Sequence, residues 1–498
     1  MRYIQKKNLF DCFDVKGKWF LPNQEMESHG IDGILRYTPQ RIVLELIGIF
    51  EDDSPLSNSY FSSSFAESQS TIHGFSDQGE WFSLFDCHPV NARTSYPGFK
   101  TITYGVNRFY VGTELITAET AILANDAQFA FANLNAWMNY NVIECKSLLA
   151  NTYQELCLTV KPPLEEKQLF NVPVAGITIS EELRYFKENP KNLLLDERIS
   201  IVIDRFYNFT PCNKDSFNIH EAFEKMNVFR RLIALLIGNA TYFTYVDYSF
   251  NDNNSLSASG NPSINTCRMF FRQVGDISKV KPITLPVSDS SFLIRRNDIK
   301  YEFGKILEKW FQDQEHWGEI TNAYISDYYL PTYIDHELQN IIRALETYHR
   351  FYLSSSKTED LTLSEERNLI LSMIDSQISR EYQEYFKERI CYESEPSLRN
   401  RLKDILNIIP SELANRLFGE LTSKKRNLLI SSIVETRNYY THKDSKIKYP
   451  NMVEDSRDQG RLATKLSFVL QYLVLRQLGV DEQILLQRII NHSNLFFL

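Results

Sequence analysis

Residues 424–442 read KKRNLLISSIVETRNYYTH, and their apolar positions predict a helix from about 424 to 441. Ile430, Ile433 and Val434 recur at helical spacing and form one stripe, and Arg437 is the next position in that stripe. A guanidinium group stays charged and is costly to bury without a partner. We therefore expect Arg437 to face inward and to meet a carboxylate, a phosphate or a second subunit.

The end of this helix also carries a carboxamide and an imidazole. Asn438 and His442 are four positions apart, so their side chains share one face of a helix. Arg437 and His442 are five positions apart, which corresponds to about 140° around an ideal helix. They converge if His442 lies just beyond the helix end, if a π-bulge re-aims it, or if two copies of the helix share one cleft. We favour the first arrangement combined with the third.

These three groups suffice for cleavage of RNA without a metal ion. An imidazole can take the proton of a ribose 2′-OH or protonate the leaving 5′-oxygen, while an arginine stabilises charge on the phosphorane. The expected products carry a 2′,3′-cyclic phosphate and a 5′-OH, and DNA is not expected to be cut. The competing interpretation is that an arginine and a histidine at this spacing are a coincidence without function.

The surroundings of the hexapeptide 437–442 are basic. Seven basic and two acidic residues lie between residues 421 and 450, whereas the whole chain carries a net charge of −9. Contact with nucleic acid is therefore expected to be local. Lys443, Lys446 and Lys448 directly follow the helix and are candidate phosphate contacts. For each of them, a solvated surface is the alternative.

The composition indicates a globular protein in a reducing compartment. The length of 498 residues suggests two to four domains. The seven cysteines are scattered without a C-x-x-C pair or a Cys/His ligand spacing. No signal peptide, membrane-spanning run or common nucleotide-binding or hydrolase motif is found in the sequence. We therefore expect a cytoplasmic protein without metal, cofactor or membrane contact.

Residues 1–290 are rich in β-branched and aromatic residues. Short segments at 33–38, 41–50, 100–104, 108–112 and 195–211 predict strands of a sandwich- or barrel-like fold that can divide into two subdomains. One amphipathic helix is predicted within this region at about 216–237, and the polar stretch 251–262 predicts a long hairpin loop.

Residues 291–498 read as helices, so the chain is predicted to be an α+β protein of two parts. Asp481 is the predicted N-cap of the last helix. The predicted helices span about 300–329, 334–353, 363–391, 396–408, 411–419, 424–441, 457–478 and 481–491.

The hexapeptide resembles the R-x(4–6)-H signature of HEPN domains, with the usual polar residue directly after the arginine. Residues 334–349, IDHELQNIIRALETYH, resemble the opening segment of the ApeA-type HEPN domain. The start of the chain is similar to the ApeA N-terminal domain through four short segments: GKWFLP at 17–22, GIL at 33–35, LELIG at 44–48 and LNAW at 134–137.

The resemblance implies an anti-phage protein that acts by abortive infection. It implies an all-α HEPN ribonuclease bundle at 291–498 that dimerises and cuts cellular RNA, with tRNA as one candidate substrate. Residues 1–290 would sense a phage-derived trigger or restrain the enzyme. Carried over to this sequence, Arg437 and His442 take the catalytic positions and Asn438 takes the accessory polar position.

Glu346 and His349 are further candidate substrate contacts on the helix that opens this domain. Glu346 could pair with Arg437 across the bundle, and a solvated face is the alternative. Two other functions stay open. One is a non-catalytic HEPN dimer that serves as a binding or sensor module for a phage component, and the other is a HEPN toxin that transfers a nucleotidyl group to a protein.

Overall fold

The computed structural model describes residues 4–50, 68–94, 100–116, 123–138, 143–150, 153–160, 168–188, 200–214, 216–256, 262–277, 280, 291–330, 332–354, 361–393, 396–443 and 445–492. The chain divides into two compact units. The first comprises residues 1–291 and 295–312, and the second comprises residues 292–294 and 313–498. The helix at 303–312, which the sequence analysis placed in the C-terminal part, groups with the first unit.

All strands of the described chain belong to the first unit, and their pairings are antiparallel. The strands are β1 Phe13–Phe20, β2 Ile31–Thr38, β3 Arg41–Ile47, β4 Gln69–Ser76, β5 Trp81–Thr94, β6 Lys100–Gly105, β7 Arg108–Gly112, β8 Leu123–Ala124, β9 Asp126–Phe131, β10 Ile143–Ala150, β11 Tyr153–Val160, β12 Leu169–Val172, β13 Ile177–Glu188, β14 Ser200–Pro211, β15 Phe217–Asn218, β16 Phe243–Leu256 and β17 Pro262–Phe271.

Six strands close into a ring, because β6 pairs with both β3 and β5. The order around the ring is β5-β4-β1-β2-β3-β6, and from β5 the sheet continues through β7, β17, β16, β9, β14, β13 and β12. Successive side chains of a strand point to opposite faces. In β3, Ile42, Leu44 and Leu46 are therefore buried, while Arg41 and the alternate positions face outward.

Close packing around Trp19 explains why two positions of the six-stranded ring are occupied by glycine. The indole of Trp19 is fully buried. A Cβ added to Gly33 would lie 2.9 Å from indole Cδ1, and one added to Gly74 would lie 2.3 Å from Cε3. Only glycine leaves room for the tryptophan at these positions.

An aromatic face of the sheet covers the embedded helix Ile219–Ile237. The ring of Phe229 lies 4.7 Å from that of Tyr207 and 5.8 Å from that of Phe129, both in edge-to-face geometry. The helix begins after Asn218, whose side chain accepts hydrogen bonds from the first turn, and it ends at Gly238 in the left-handed conformation. The predicted helix is confirmed, and its start is three residues later than predicted because residues 217–218 pair with β8.

The predicted loop at 251–262 is wrong in its extent. Residues 251–256 continue β16, where Asn251 pairs with Ile264 and Asp252 pairs with Ser263. Residues 257–261 lie outside the described part of the chain.

The described helices are α1 Met26–His29, α2 Leu134–Met138, α3 Ile219–Ile237, α4 Phe303–Gln312, α5 Gln314–Tyr329, α6 Ile334–Tyr348, α7 Leu361–Gln377, α8 Arg380–Glu393, α9 Leu398–Ile408, α10 Ser411–Phe418, α11 Ser423–His442, α12 Ser456–Leu478 and α13 Glu482–Ile490. Two predicted long helices are each divided: 300–329 into α4 and α5, and 363–391 into α7 and α8. The first division occurs at Asp313, whose backbone leaves the helical conformation at φ −105° and ψ 33°.

The helical unit is built around α6, which packs against α5, α9, α11 and α12. Leu338, Ile341, Ile342 and Leu345 form its buried stripe, as the 3.6-residue period requires. A π-helical turn, His349–Leu353, continues α6. Asp481 caps α13 as predicted, since its carboxylate accepts hydrogen bonds from the N–H groups of residues 483 and 484.

The predicted order of a β-rich region followed by an all-α bundle is confirmed. None of the described helices combines the length and apolar character needed to cross a membrane.

Candidate functional site

Helix α11 runs without interruption to His442. Lys443 then adopts the left-handed conformation, with φ 49°, and its N–H donates to the carbonyl of Tyr439 at 2.7 Å. This bond closes the last turn, as a left-handed residue at a helix C-terminus commonly does. The expectation that His442 lies beyond the helix end is therefore wrong, because His442 is the last helical residue.

The packing face of α11 differs from the predicted stripe. Ile430 and Ile433 are buried as expected, but the next fully buried residue is Thr436. Its hydroxyl donates to the carbonyl of Ser432 at 2.6 Å and accepts from the N–H of Val453 at 2.9 Å. These two bonds satisfy a buried polar group. Arg437 consequently lies at the edge of the packing face, with 34% of its side chain exposed.

Groups from α6 and from the next residue of α11 make long contacts that orient Arg437. Its Nη2 lies 3.8 Å from the Oε2 of Glu346, and its Nη1 donates to the Oδ1 of Asn438 at 3.4 Å. The Nε2 of Gln339 donates to the backbone carbonyl of Arg437 at 3.4 Å. The predicted contact between Glu346 and Arg437 is confirmed. The guanidinium is thus oriented yet still open to solvent on one side.

His442 is exposed at the end of α11. Because the helix is unbroken from Arg437 to His442, the two side chains leave it about 140° apart. Asn438 lies on the same face as His442, four positions earlier. Within one copy, the imidazole and the guanidinium therefore point to different sides of the helix.

The chain after α11 folds back onto the last turns of the same helix. We call residues 443–453 the basic loop, of which Asp444 lies outside the described residues. The carboxylate of Glu435 accepts from the N–H of Asn451 at 2.6 Å and from its Nδ2 at 2.8 Å. Gln459 of α12 is buried and donates to the hydroxyl of Tyr440 at 2.8 Å and to the carbonyl of Val453 at 2.7 Å. The basic loop is thereby fixed next to the candidate site.

The three candidate lysines are exposed, but their environments differ. Lys446 forms a 2.9 Å ion pair with Glu454, and this hydrogen bond raises the pKa of the lysine. Lys443 occupies the left-handed helix end, and Lys448 ends a short 3₁₀ turn, Lys446–Lys448. The structure thus brings all three lysines into the loop that follows His442, with Lys446 already paired to a carboxylate.

His349 does not belong to the exposed surface. It is buried in the π-helical turn, and its Nε2 lies 3.1 Å from the Oδ2 of Asp404 on α9. Its Nδ1 lies 3.2 Å from the Oγ of Ser354. Both expectations for this residue, a substrate contact and a solvated face, are contradicted, because the imidazole connects α6 to α9 inside the bundle.

Sequence reasoning missed the residues that anchor the basic loop. Glu435 was counted only as one of the two acidic residues between residues 421 and 450, and Asn451 and Gln459 were not singled out. Glu435 and its partner Asn451 are 16 residues apart in the sequence, and Gln459 and its partner Tyr440 are 19 residues apart. Among the described residues, no group of three or more His, Cys, Asp or Glu side chains is placed to hold a metal ion.

A late helix of this α-helical bundle thus ends in an arginine, a polar residue and a histidine. This arrangement is the one expected of a protein with a HEPN-type domain. The family model of the Apea-like HEPN domain matches residues 339–484. The model of ApeA N-terminal domain 1 matches residues 14–310, which is more than half of the chain. The chain therefore belongs to the ApeA family, and the resemblance stated from the sequence is confirmed. No curated protein and no solved structure matches it.

Proposed function

We propose that this ApeA-type HEPN protein is an anti-phage endoribonuclease that cuts cellular RNA without a metal ion. The proposal rests on the exposure of two side chains of α11. Arg437 is oriented by Glu346 and Asn438 yet is one-third exposed, and His442 is exposed at the end of the same helix. An oriented cation and an accessible imidazole are the two groups that this chemistry needs.

The proposed reaction is a transesterification followed by release. His442 removes the proton of a ribose 2′-OH, and the 2′-oxygen attacks the adjacent phosphorus. The bond from phosphorus to the 5′-oxygen breaks, and the departing oxygen takes up a proton from water to become the 5′-OH. Arg437 stabilises the negative charge that builds on the non-bridging oxygens. The products carry a 2′,3′-cyclic phosphate and a 5′-OH.

We further propose that the working enzyme is a homodimer in which one copy supplies Arg437 and the other supplies His442. The divergence of about 140° along an unbroken α11 supports this arrangement, since one straight helix does not bring both groups to one phosphate. A two-fold axis beside the helix end would create two equivalent clefts.

The first experiment measures cleavage of labelled RNA by purified protein in the presence of EDTA, with analysis of the product ends. Arg437→Ala and His442→Ala are each expected to lower the rate by at least about 100-fold, the usual range for loss of such a group. Unchanged cleavage in both variants, or cleavage that requires a divalent metal, contradicts the proposed mechanism. Labelling of a protein by radioactive ATP would instead favour nucleotidyl transfer.

The second experiment mixes the two inactive variants after subunit exchange. If the cleft is shared, a mixed dimer contains one intact and one doubly defective site, and random exchange restores about a quarter of the wild-type activity. If each copy uses its own Arg437 and His442, mixing restores nothing. Residual activity of each variant alone is the control.

A further inference from the structure

A polar groove lies on the outer face of the six-stranded ring. It is lined by β2, β3, β5 and β6 and encloses about 450 Å³. This volume falls within the range of small-molecule sites, about 300–1,000 Å³. We refer to it as the outer groove.

The strand register explains why the lining is polar. Glu45 of β3 pairs with Thr103 of β6, which in turn pairs with Asn91 of β5. Arg93 pairs with Thr101 in the next row that faces outward. The register of β5 is irregular between Pro89 and Asn91, directly beside the groove. Such bulges re-aim side chains and are common next to binding sites.

The arginines that line the outer groove differ in their ion pairs. Arg36 is paired with Glu45, and its Nε lies 3.7 Å from the carboxylate of Asp14. Arg41 and Arg93 also line the groove and are exposed, and neither guanidinium forms an ion pair within the described part of the chain. In a protein with a net charge of −9, two uncompensated guanidinium groups in one groove create a local positive potential.

The chemistry of the lining indicates an anion that also carries hydroxyl groups. Two guanidinium groups match the oxygens of a terminal phosphate. The threonine hydroxyls and the Asn91 carboxamide can donate hydrogen bonds to hydroxyl groups and accept hydrogen bonds from them. None of the described lining residues is aromatic, so none of them offers a ring for stacking of a base. We propose that the outer groove binds a small organic phosphate with free hydroxyl groups, such as a sugar phosphate or the ribose phosphate part of a nucleotide.

Isothermal titration of the full-length protein tests this proposal with ribose 5-phosphate, AMP, inorganic phosphate and adenosine. Ribose 5-phosphate and AMP are expected to bind, inorganic phosphate to bind more weakly, and adenosine not to bind. If AMP binds far more tightly than ribose 5-phosphate, the ligand is a nucleotide. If the two compounds bind with equal affinity, the ligand is a sugar phosphate. The absence of binding for all three phosphates at millimolar concentration overturns the proposal.

Substitutions of the lining residues are expected to change the affinity for ribose 5-phosphate in opposite directions. Arg41→Gln and Arg93→Gln should each weaken binding of ribose 5-phosphate at least tenfold. Glu45→Gln should strengthen it several-fold, because it frees Arg36 for the ligand. Arg272→Gln is the matched control, since Arg272 is an exposed arginine of the same unit outside the groove. These changes are on the surface, and an unchanged melting temperature shows that each variant is folded.

Three results would contradict the assignment of the site. The first is a loss of affinity in Arg41→Gln and Arg93→Gln no larger than in Arg272→Gln. The second is loss of binding in Arg437→Ala, which would place the phosphate at the proposed RNA site. The third is binding of an RNA oligonucleotide but of none of the small phosphates, which would reject a small-molecule site. The inference is independent of the proposed ribonuclease activity, because its readout is binding alone.

Discussion

Replacement of Glu435 by glutamine tests whether the carboxylate holds the basic loop against α11. In the wild-type protein both carboxylate oxygens are used: Oε2 accepts from the N–H of Asn451 and Oε1 accepts from its Nδ2, at 2.6 and 2.8 Å. Glutamine has the same shape but only one oxygen. One N–H of Asn451 therefore loses its acceptor and faces an amide group instead.

A hydrogen bond to a charged group contributes about 1.5–3 kcal/mol. If the loop opens locally, loss of one such bond shifts the opening equilibrium about 10- to 100-fold, since 1.4 kcal/mol corresponds to a factor of ten. Hydrogen exchange of the amides in residues 445–453, followed by mass spectrometry, measures this shift directly. The exchange of α6, which lies in the core of the bundle, should change far less.

Glu454→Gln is the matched control, because it also replaces a carboxylate that contacts the basic loop, in this case through Lys446. Glu454 pairs with Lys446 at the exposed surface, where water and salt screen the attraction between the two charges. Its expected effect on exchange is therefore much smaller than that of Glu435→Gln. Equal exchange in Glu435→Gln and Glu454→Gln would refute the view that the two bonds to Asn451 fix the loop.

Three further predictions concern stability and are measured by urea unfolding. Gly74→Ala should destabilise the protein by about 1–3 kcal/mol, because the added methyl group lies 2.3 Å from the indole of Trp19. Gly460→Ala should stabilise it by about 0.5–1 kcal/mol, since α12 gains a better helix former and the new Cβ stays 3.8 Å from Ile334; a loss of stability would contradict this. Burial lowers the pKa of His73, so the unfolded chain binds a proton more readily and stability falls as the pH drops below about 6.5. His73→Gln should flatten that part of the pH profile, because it removes the buried imidazole.

The sequence predicted those elements whose cause is local. α3 and α13 lie where expected because their signals are near in sequence: an apolar stripe, a capping Asn218 or Asp481, and a glycine at the end of α3. The strands β2, β3, β6 and β7 follow from alternation and composition for the same reason.

What the sequence could not predict depends on partners far along the chain. Closure of the ring requires β6 to pair with both β3 and β5, and no local pattern encodes that choice. His349 was assigned to the surface, but its partner Asp404 is 55 residues away. Likewise, the packing face of α11 was placed through Arg437 because nothing local indicates that Thr436 bonds to Val453.

The packing face of α11 runs through Thr436 and not through Arg437, and this difference bears on the proposed dimer. Had Arg437 continued the buried stripe, its charge would have been enclosed by the bundle, and a substrate phosphate could not have reached it. Thr436 takes the buried position instead, so Arg437 stands at the edge with Glu346 as its only carboxylate contact among the described residues. A carboxylate at 3.8 Å on a partly exposed guanidinium holds it only weakly, and a phosphate in direct contact could displace it. In the proposed dimer, the guanidinium would turn from Glu346 to a phosphate attacked with the help of the partner's His442. Glu346 therefore acts in this proposal as a group that positions Arg437 before the substrate arrives.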